Sequence, residues 1–195
     1  MHLIDVKSPA DLKGLSISEL TDLTAQARQA MMTKVSEQGG HVGPPMGAAE
    51  MIMALHYVFN SPVDKIVYDV SHQSYVHKMV TGRALAFLDY NHYDDVTGYT
   101  DPSESEHDFF NIGHTSTSVS LASGLATARN LKGDSENIIA IIGDGSLSGG
   151  EAFEGLDYAA TLDSNMIIIV NDNDQSIAEN HGGLYRGLSE LRKTN

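Results

Sequence analysis

Apolar residues recur with helical spacing in the first part of the chain. Residues 16–40 place apolar side chains three or four apart, which predicts a helix. Ser16 or Ser18 supplies an N-cap for it, and Gly39–Gly40 ends it. Residues 48–59 are apolar on nearly every face, which predicts a helix buried among other elements.

The middle of the chain combines a short apolar run with a long segment of turn-forming residues. Residues 65–70, "KIVYDV", predict a short strand, and residues 71–83, "SHQSYVHKMVTGR", continue it into a helix. Residues 89–112 carry many turn-forming and acidic residues. A long irregular segment inside a compact domain is usually functional or mobile, so we expect one or the other for these residues.

The last part of the chain alternates helices with short, continuously apolar runs. The predicted elements are a helix over 116–131, a strand over 137–142, a helix over 148–162 and a strand over 165–172. Continuous apolar strands joined through a helix indicate an α/β fold, with a parallel sheet covered by helices on both faces. Ligands bind outside the carboxyl ends of such strands, and "GDG" (143–145) and "NDN" (171–173) both lie there.

Composition narrows the class of protein. The 195 residues are 41% hydrophobic and 19% charged, which is typical of one sizeable globular domain. The net charge of −14 argues against nucleic acid or an anionic membrane as a partner. The lack of cysteine excludes disulfides and thiolate chemistry. With neither a signal-peptide pattern nor an apolar run of about 18 residues, we expect a cytoplasmic protein.

The aspartate in "GDG" decides between two kinds of phosphate site. A dinucleotide site has the pattern G-x-G-x-x-G after a strand. Gly143 and Gly145 fit that pattern, but Ser148 occupies the third glycine position. The dinucleotide interpretation also leaves the negative charge of Asp144 beside a phosphate unexplained.

A divalent cation between Asp144 and a phosphate removes that difficulty. Mg²⁺ takes one or two protein oxygens together with phosphate and water oxygens. Asn173 follows Asp144 by 29 residues, enough for a helix and a strand, so both can lie at neighbouring strand ends. Either motif alone is typical of an ordinary turn. Their occurrence at consecutive strand ends favours a metal-bridged diphosphate site.

The same residues carry a family resemblance. "GDGS" followed by "NDN" resembles the thiamine diphosphate signature. "GGHVG", "DVSHQSYVHKMVTGR", "ESEHD" and "GHTSTSVS" resemble, in the same order, segments of the 1-deoxy-D-xylulose-5-phosphate synthase family, with transketolase as the broader relative. The resemblance runs from about Leu15 to Arg192 and implies the thiamine diphosphate-binding fold.

The resemblance also implies two cofactors, thiamine diphosphate and Mg²⁺, and a set of site residues. The implied metal ligands are the side chains of Asp144 and Asn173 and the backbone carbonyl of Gln175. The residues implied to lie along the cofactor are Gly113, His114, Thr115, Gly145, Ser146 and His72. His72 would contact the diphosphate or the substrate, and His41 would assist proton transfer near the thiazolium.

By the same resemblance the chain is the diphosphate-binding part of a transferase of isoprenoid biosynthesis. Pyruvate and glyceraldehyde 3-phosphate are the implied synthase substrates, and a transketolase subunit is the alternative, since Pro44–Pro45 alters a loop near the reacting carbon. We expect one domain over residues 1–195, without the pyrimidine-binding and C-terminal domains, and hence no activity alone. A homo-oligomer or a partner subunit would complete the site. A nicotinamide-binding module and a non-catalytic assembly subunit remain as further alternatives.

Overall fold

A parallel sheet organises residues 1–173, 179–191 and 193–194, which a computed structural model describes. Its strands are β1 (Lys65–Tyr68), β2 (Ile138–Gly143) and β3 (Ile167–Asn171), which lie side by side in that order. Tyr68 is in register with Ile141, and Gly143 with Asn171. The carboxyl ends of the three strands therefore lie along one edge of the sheet.

Helices precede β1, connect the three strands and follow β3. The helices are α1 (Ile17–Gln38), α2 (Gly43–Gly47), α3 (Ala49–Val58), α4 (Tyr75–Lys78), α5 (Leu85–Leu88), α6 (Ser118–Lys132), α7 (Asp144–Leu147), α8 (Gly150–Thr161) and α9 (Gly183–Leu191). Single 3₁₀ segments occupy Leu3–Asp5, Pro9–Leu12 and Tyr90–Asp95. Ser16 caps α1 as one of the two residues predicted for that role, since its Oγ accepts from the backbone N–H of Glu19.

Two hydrophobic cores lie on opposite faces of the sheet. Because side chains alternate along a strand, Ile139 and Ile141 enter one core, whereas Ile138 and Ile142 enter the other. Helices α1, α3, α4 and α5 cover the first face, and α6, α7 and α8 cover the second. The expected parallel sheet with helices on both faces is confirmed.

The segment after β1 departs from the predicted single helix over 71–83. Residues 71–74 form a turn, helix α4 follows, and Met79–Arg83 is a π-helical segment in which Thr81 and Gly82 leave helical geometry. Val70 and Ser71 adopt positive φ angles of 57° and 68°, which stops the chain from entering a helix directly after the strand. Residues 89–112 are irregular apart from the 3₁₀ segment, as expected.

No helix within the described part of the chain is long and apolar enough to cross a membrane.

Candidate functional site

An aspartate directly follows each strand of the sheet. Asp69 comes after β1, Asp144 after β2 and Asp172 after β3. Since the strands are parallel, the three carboxylates lie along one edge, which we call the carboxyl edge (Asp69, Asp144, Asp172). Ligands bind at this edge in open α/β sheets.

Asp144 is the carboxylate best placed to hold a cation. Its side chain is only 4% exposed, and Asn180 donates a hydrogen bond to its Oδ2. Burial, and to a smaller extent the negative charge of Asp172, raises the pKa of Asp144. A buried carboxylate beside another acid is stabilised by a nearby cation, so the chemistry of this pair fits Mg²⁺.

A cavity of about 560 Å³ opens beside Asp144. Asn173, Asn180, Tyr185 and Arg186 are among its lining residues, and Oη of Tyr185 donates to the backbone carbonyl of Asp144, 2.8 Å away. The volume lies within the range of small-molecule sites, and the lining includes the cation Arg186, whose charge suits a phosphate, and the acid Glu179, whose charge calls for a cation between them. Both the cavity and the carboxylate therefore fit a metal-bridged diphosphate.

The described residues contain no group of three or more acidic or histidine side chains arranged around a metal position. Asn173, the second expected ligand, is one of the residues that line the cavity. Gln175, the third expected ligand, lies outside the described residues.

Asp69 fixes the loop that carries the expected cofactor residues 113–115. Its buried carboxylate accepts hydrogen bonds from the backbone N–H groups of Ser116, at 2.9 Å, and Ser118, at 3.0 Å. Ser116 Oγ in turn donates to the backbone carbonyl of Ser146, at 2.7 Å. The loop is thereby tied to the turn that carries Asp144.

The expected cofactor residues on these two loops differ in exposure. Gly113, His114, Thr115 and Gly145 are exposed, whereas Ser146 is buried. The amide of Gly145 interacts with the carboxylate of Asp144, and this interaction opposes the rise in that group's pKa. The structure brings these residues to the carboxyl edge, where exposed backbone groups can reach a ligand.

Backbone strain concentrates along the same edge. Among the described residues, the non-glycine positions with positive φ are Val70, Ser71 and Ser116, at 57°, 68° and 72°. Such conformations are costly and persist where surrounding contacts determine them, most often at functional sites. The strain sits at the end of β1 and on the loop that Asp69 holds.

His41 and His72 form a second group, which we call the histidine cluster (His41, His72, Tyr75, Tyr99). The two imidazole rings meet edge to face with centroids 5.2 Å apart, and the Tyr99 ring lies 5.4 Å from His41. Burial lowers the pKa of both histidines, and His41 lowers that of His72 further. Both rings are therefore biased toward the neutral form, which offers one N–H donor and one acceptor.

A buried ionic network supports the segment that carries Tyr99. Arg83 donates two hydrogen bonds of 2.8 Å to Asp108, and His77 Nε2 lies 2.7 Å from the same carboxylate. Burial favours the neutral form of Asp108, but the hydrogen bonds from Arg83 and His77 outweigh it and lower the pKa of this group. Asp108 also accepts from the backbone N–H of Asp101, at 2.9 Å.

Glu104 extends this network toward Tyr99. It accepts from Lys78, whose side chain is fully buried, and from Arg83, and it also accepts from the backbone N–H of Thr97, at 2.7 Å. No role was predicted for His77 from the sequence. The sequence contains one hint of the network: "YVHKMVTGR" carries its basic residues and "ESEHD" its acidic ones. The spacing of the two motifs does not by itself show that they are in contact.

Known proteins that are similar to this chain share one description. A family model described as "1-deoxy-D-xylulose-5-phosphate synthase" matches residues 3–195. The protein of that name from Symbiobacterium thermophilum is 48% identical over 192 residues, which cover 98% of this chain and 30% of the relative. The one from Caldanaerobacter subterraneus subsp. tengcongensis is 50% identical over 190 residues, which cover 97% of this chain and 30% of the relative. "1-deoxy-D-xylulose-5-phosphate synthase 2" of Geobacter sulfurreducens is 49% identical over 184 residues, which cover 94% of this chain and 29% of the relative. The chain thus spans about three tenths of the length of these relatives.

Proposed function

The chain belongs to the 1-deoxy-D-xylulose-5-phosphate synthase family, and on this premise we propose that it is the Mg²⁺- and diphosphate-binding part of a thiamine diphosphate-dependent transferase. The observation that carries the proposal is the buried Asp144 carboxylate at the end of β2, beside the 560 Å³ cavity that Asn173 lines. A cation at that position would neutralise Asp144 and Asp172 and bridge to a phosphate group.

Each expected residue has a role in this proposal. Asp144 and Asn173 provide side-chain oxygens to Mg²⁺, and Gln175 provides a backbone carbonyl. The amides of Gly145 and Ser146 face the diphosphate, and residues 113–115 border the cofactor. Thiamine diphosphate, when bound, supplies the nucleophilic carbon and the electron sink on which carbon–carbon bond chemistry depends.

The histidine cluster acts on the substrate side in this proposal. Neutral imidazoles at His41 and His72 offer hydrogen bonds and exchange protons with substrate oxygens near neutral pH. The family name supports pyruvate and glyceraldehyde 3-phosphate as substrates, a two-carbon transfer, and a place in isoprenoid biosynthesis, rather than the ketose phosphate of a transketolase.

We propose further that the 195 residues form one diphosphate-binding domain that is inactive alone. The relatives are about three times as long, which supports a site completed by other polypeptide. That polypeptide would carry the pyrimidine-binding domain. If it belongs to the same protein, identical copies would assemble as a homo-oligomer; if it does not, it would be a partner subunit that assembles with this domain. A cytoplasmic location stays a prediction from the sequence.

Thermal unfolding with and without ligands tests the proposal. A ligand that binds only the folded chain raises the midpoint of unfolding according to its saturation. We expect a rise that requires Mg²⁺ and thiamine diphosphate together and disappears in Asp144→Asn. The matched control is Asp134→Asn, an exposed carboxylate before the opposite end of β2. Stabilisation by NAD without metal, or an equal rise in Asp144→Asn, would contradict the proposal.

A further inference from the structure

The hydroxyl of Tyr75 touches His41 at two points. Tyr75 Oη lies 3.2 Å from the backbone nitrogen of His41, which donates to it, and 3.4 Å from Nδ1 of the imidazole ring. A backbone N–H can only donate, so the tyrosine oxygen must act as acceptor in the first contact. The single proton of the hydroxyl is then left for the second contact.

Nδ1 of His41 is the acceptor that the described residues offer to that proton. Tyr75 is 5% exposed, and within residues 1–173, 179–191 and 193–194 its hydroxyl has no hydrogen-bond partner besides His41. A buried hydroxyl whose proton lacks an acceptor is unfavourable. Donation to Nδ1 satisfies the proton, and it requires that Nδ1 of the neutral ring carry none. The hydrogen of neutral His41 then resides on Nε2.

Packing keeps the hydroxyl in this position. The ring of Tyr75 lies against Phe87, with centroids 5.5 Å apart. The turn before His41 is shaped around the hydroxyl: a Cβ on Gly40 would stand 3.0 Å from Tyr75 Oη, and Gly40 has a φ of +134°, which side-chain-bearing residues rarely adopt. The backbone at Gly40 and the side chain of Tyr75 therefore hold each other in place.

Nε2 of His41 remains available. Among the described residues His41 makes hydrogen bonds through its backbone nitrogen and Nδ1 alone, and its ring is partly exposed. His72 and Tyr99 stand against the ring edge to face and limit its rotation. An oxygen atom of a ligand can therefore meet Nε2.

We propose that Tyr75 is a positioning residue that fixes His41 as the Nε2–H tautomer, so that His41 presents a hydrogen-bond donor to the carbonyl or hydroxyl oxygen of a 2-oxoacid or aldehyde substrate. The substrate class rests on the proposed function, whereas the tautomer rests on the geometry alone. The Nε2–H group of His41 then donates a hydrogen bond that stabilises negative charge developing on a substrate oxygen.

Nitrogen-15 NMR of the histidine side chains tests the tautomer directly. In the wild-type chain we expect a protonated Nε2 and an unprotonated Nδ1 for His41, with its signals assigned by their loss in His41→Gln. In Tyr75→Phe we expect a mixture of both tautomers. The matched control is Tyr99→Phe, because Tyr99 reaches His41 only through its ring, as far as the described residues show. A wild-type His41 with its proton on Nδ1 overturns the proposal even if Tyr75→Phe does not fold, and so does an unchanged tautomer in a folded Tyr75→Phe.

Kinetics of this domain assembled with the polypeptide that completes its site separate this inference from the proposed function. We expect Tyr75→Phe to lower kcat about tenfold with less than about a twofold change in KM, since the hydrogen bond strengthens as charge develops. An active enzyme in which Tyr75→Phe leaves kcat unchanged overturns the role of Tyr75 and leaves the proposed function standing. An inactive wild type with the expected tautomer overturns the proposed function, whereas the fixed tautomer stands.

Discussion

Replacing His77 by glutamine tests whether the buried network makes the stability of the fold depend on pH. His77 is fully buried, with Nε2 2.7 Å from Asp108 and Nδ1 2.8 Å from Nε2 of His56. Burial lowers the pKa of His77 from 6.5 to about 4 and lowers that of His56 well below 6.5. Both rings are neutral in the folded chain at pH 7.

The magnitude follows from linkage. Below pH 6.5 the unfolded chain binds protons at these histidines that the folded chain does not bind, so stability falls as the pH falls. For His77, whose pKa is 6.5 unfolded and about 4 folded, the full loss is about 3 kcal/mol at 1.36 kcal/mol per pKa unit. This contribution is complete above pH 6.5 and is lost between pH 6.5 and pH 4. His56 contributes in the same direction.

Urea unfolding followed by far-UV circular dichroism provides the assay, because the chain has no tryptophan. We expect His77→Gln to be less stable than the wild type at pH 7. Between pH 6 and pH 5, the free energy of unfolding should fall by about 1.2 kcal/mol less in His77→Gln than in the wild type. The control is Ile52→Val, a fully buried position on the same helix as His56, which should lower stability equally at both pH values. An equal slope in wild type and His77→Gln would refute the reasoning.

Two further substitutions test the contacts at the carboxyl edge. Gly149→Ala should lower the thermal midpoint, because its Cβ would stand 2.0 Å from Ser116 Oγ, and adding Ser116→Gly should restore part of the loss; a folded Gly149→Ala with an unchanged midpoint would contradict this close contact. Asp69→Asn should cost about 1–3 kcal/mol by urea unfolding, because an amide cannot accept at both positions from Ser116 and Ser118; a loss below about 0.5 kcal/mol would show that these bonds do not hold the loop.

The local pattern of apolar residues was sufficient to predict the strands and the edge of the sheet at which the motifs "GDG" and "NDN" lie. Apolar runs predicted β2 and β3, and Gly143 and Asn171, with which the motifs "GDG" and "NDN" begin, are in register on these neighbouring strands. Asp69 was missed because the strand predicted over residues 65–70 enclosed it, whereas β1 ends at Tyr68 and leaves Asp69 as the first residue after the strand.

Contacts between distant segments could not be predicted from spacing. Tyr75 and His41 lie 34 residues apart in sequence, and His77 and Asp108 lie 31 apart, on elements whose relative placement depends on the whole core. The break in the predicted helix over 71–83 has the same origin. Contacts of Ser71 with Ile112 and Thr100 accompany a backbone conformation that residue type alone does not favour.

The most direct test of the metal-bridged diphosphate site is a calorimetric titration of thiamine diphosphate into the chain, with Mg²⁺ and then with EDTA, for the wild type and Asp144→Asn. We expect one site per chain in the wild type with Mg²⁺, and an affinity at least about tenfold weaker without the metal or without the carboxylate, which corresponds to about 1.4 kcal/mol or more. An affinity independent of both Mg²⁺ and Asp144 would contradict the proposed site.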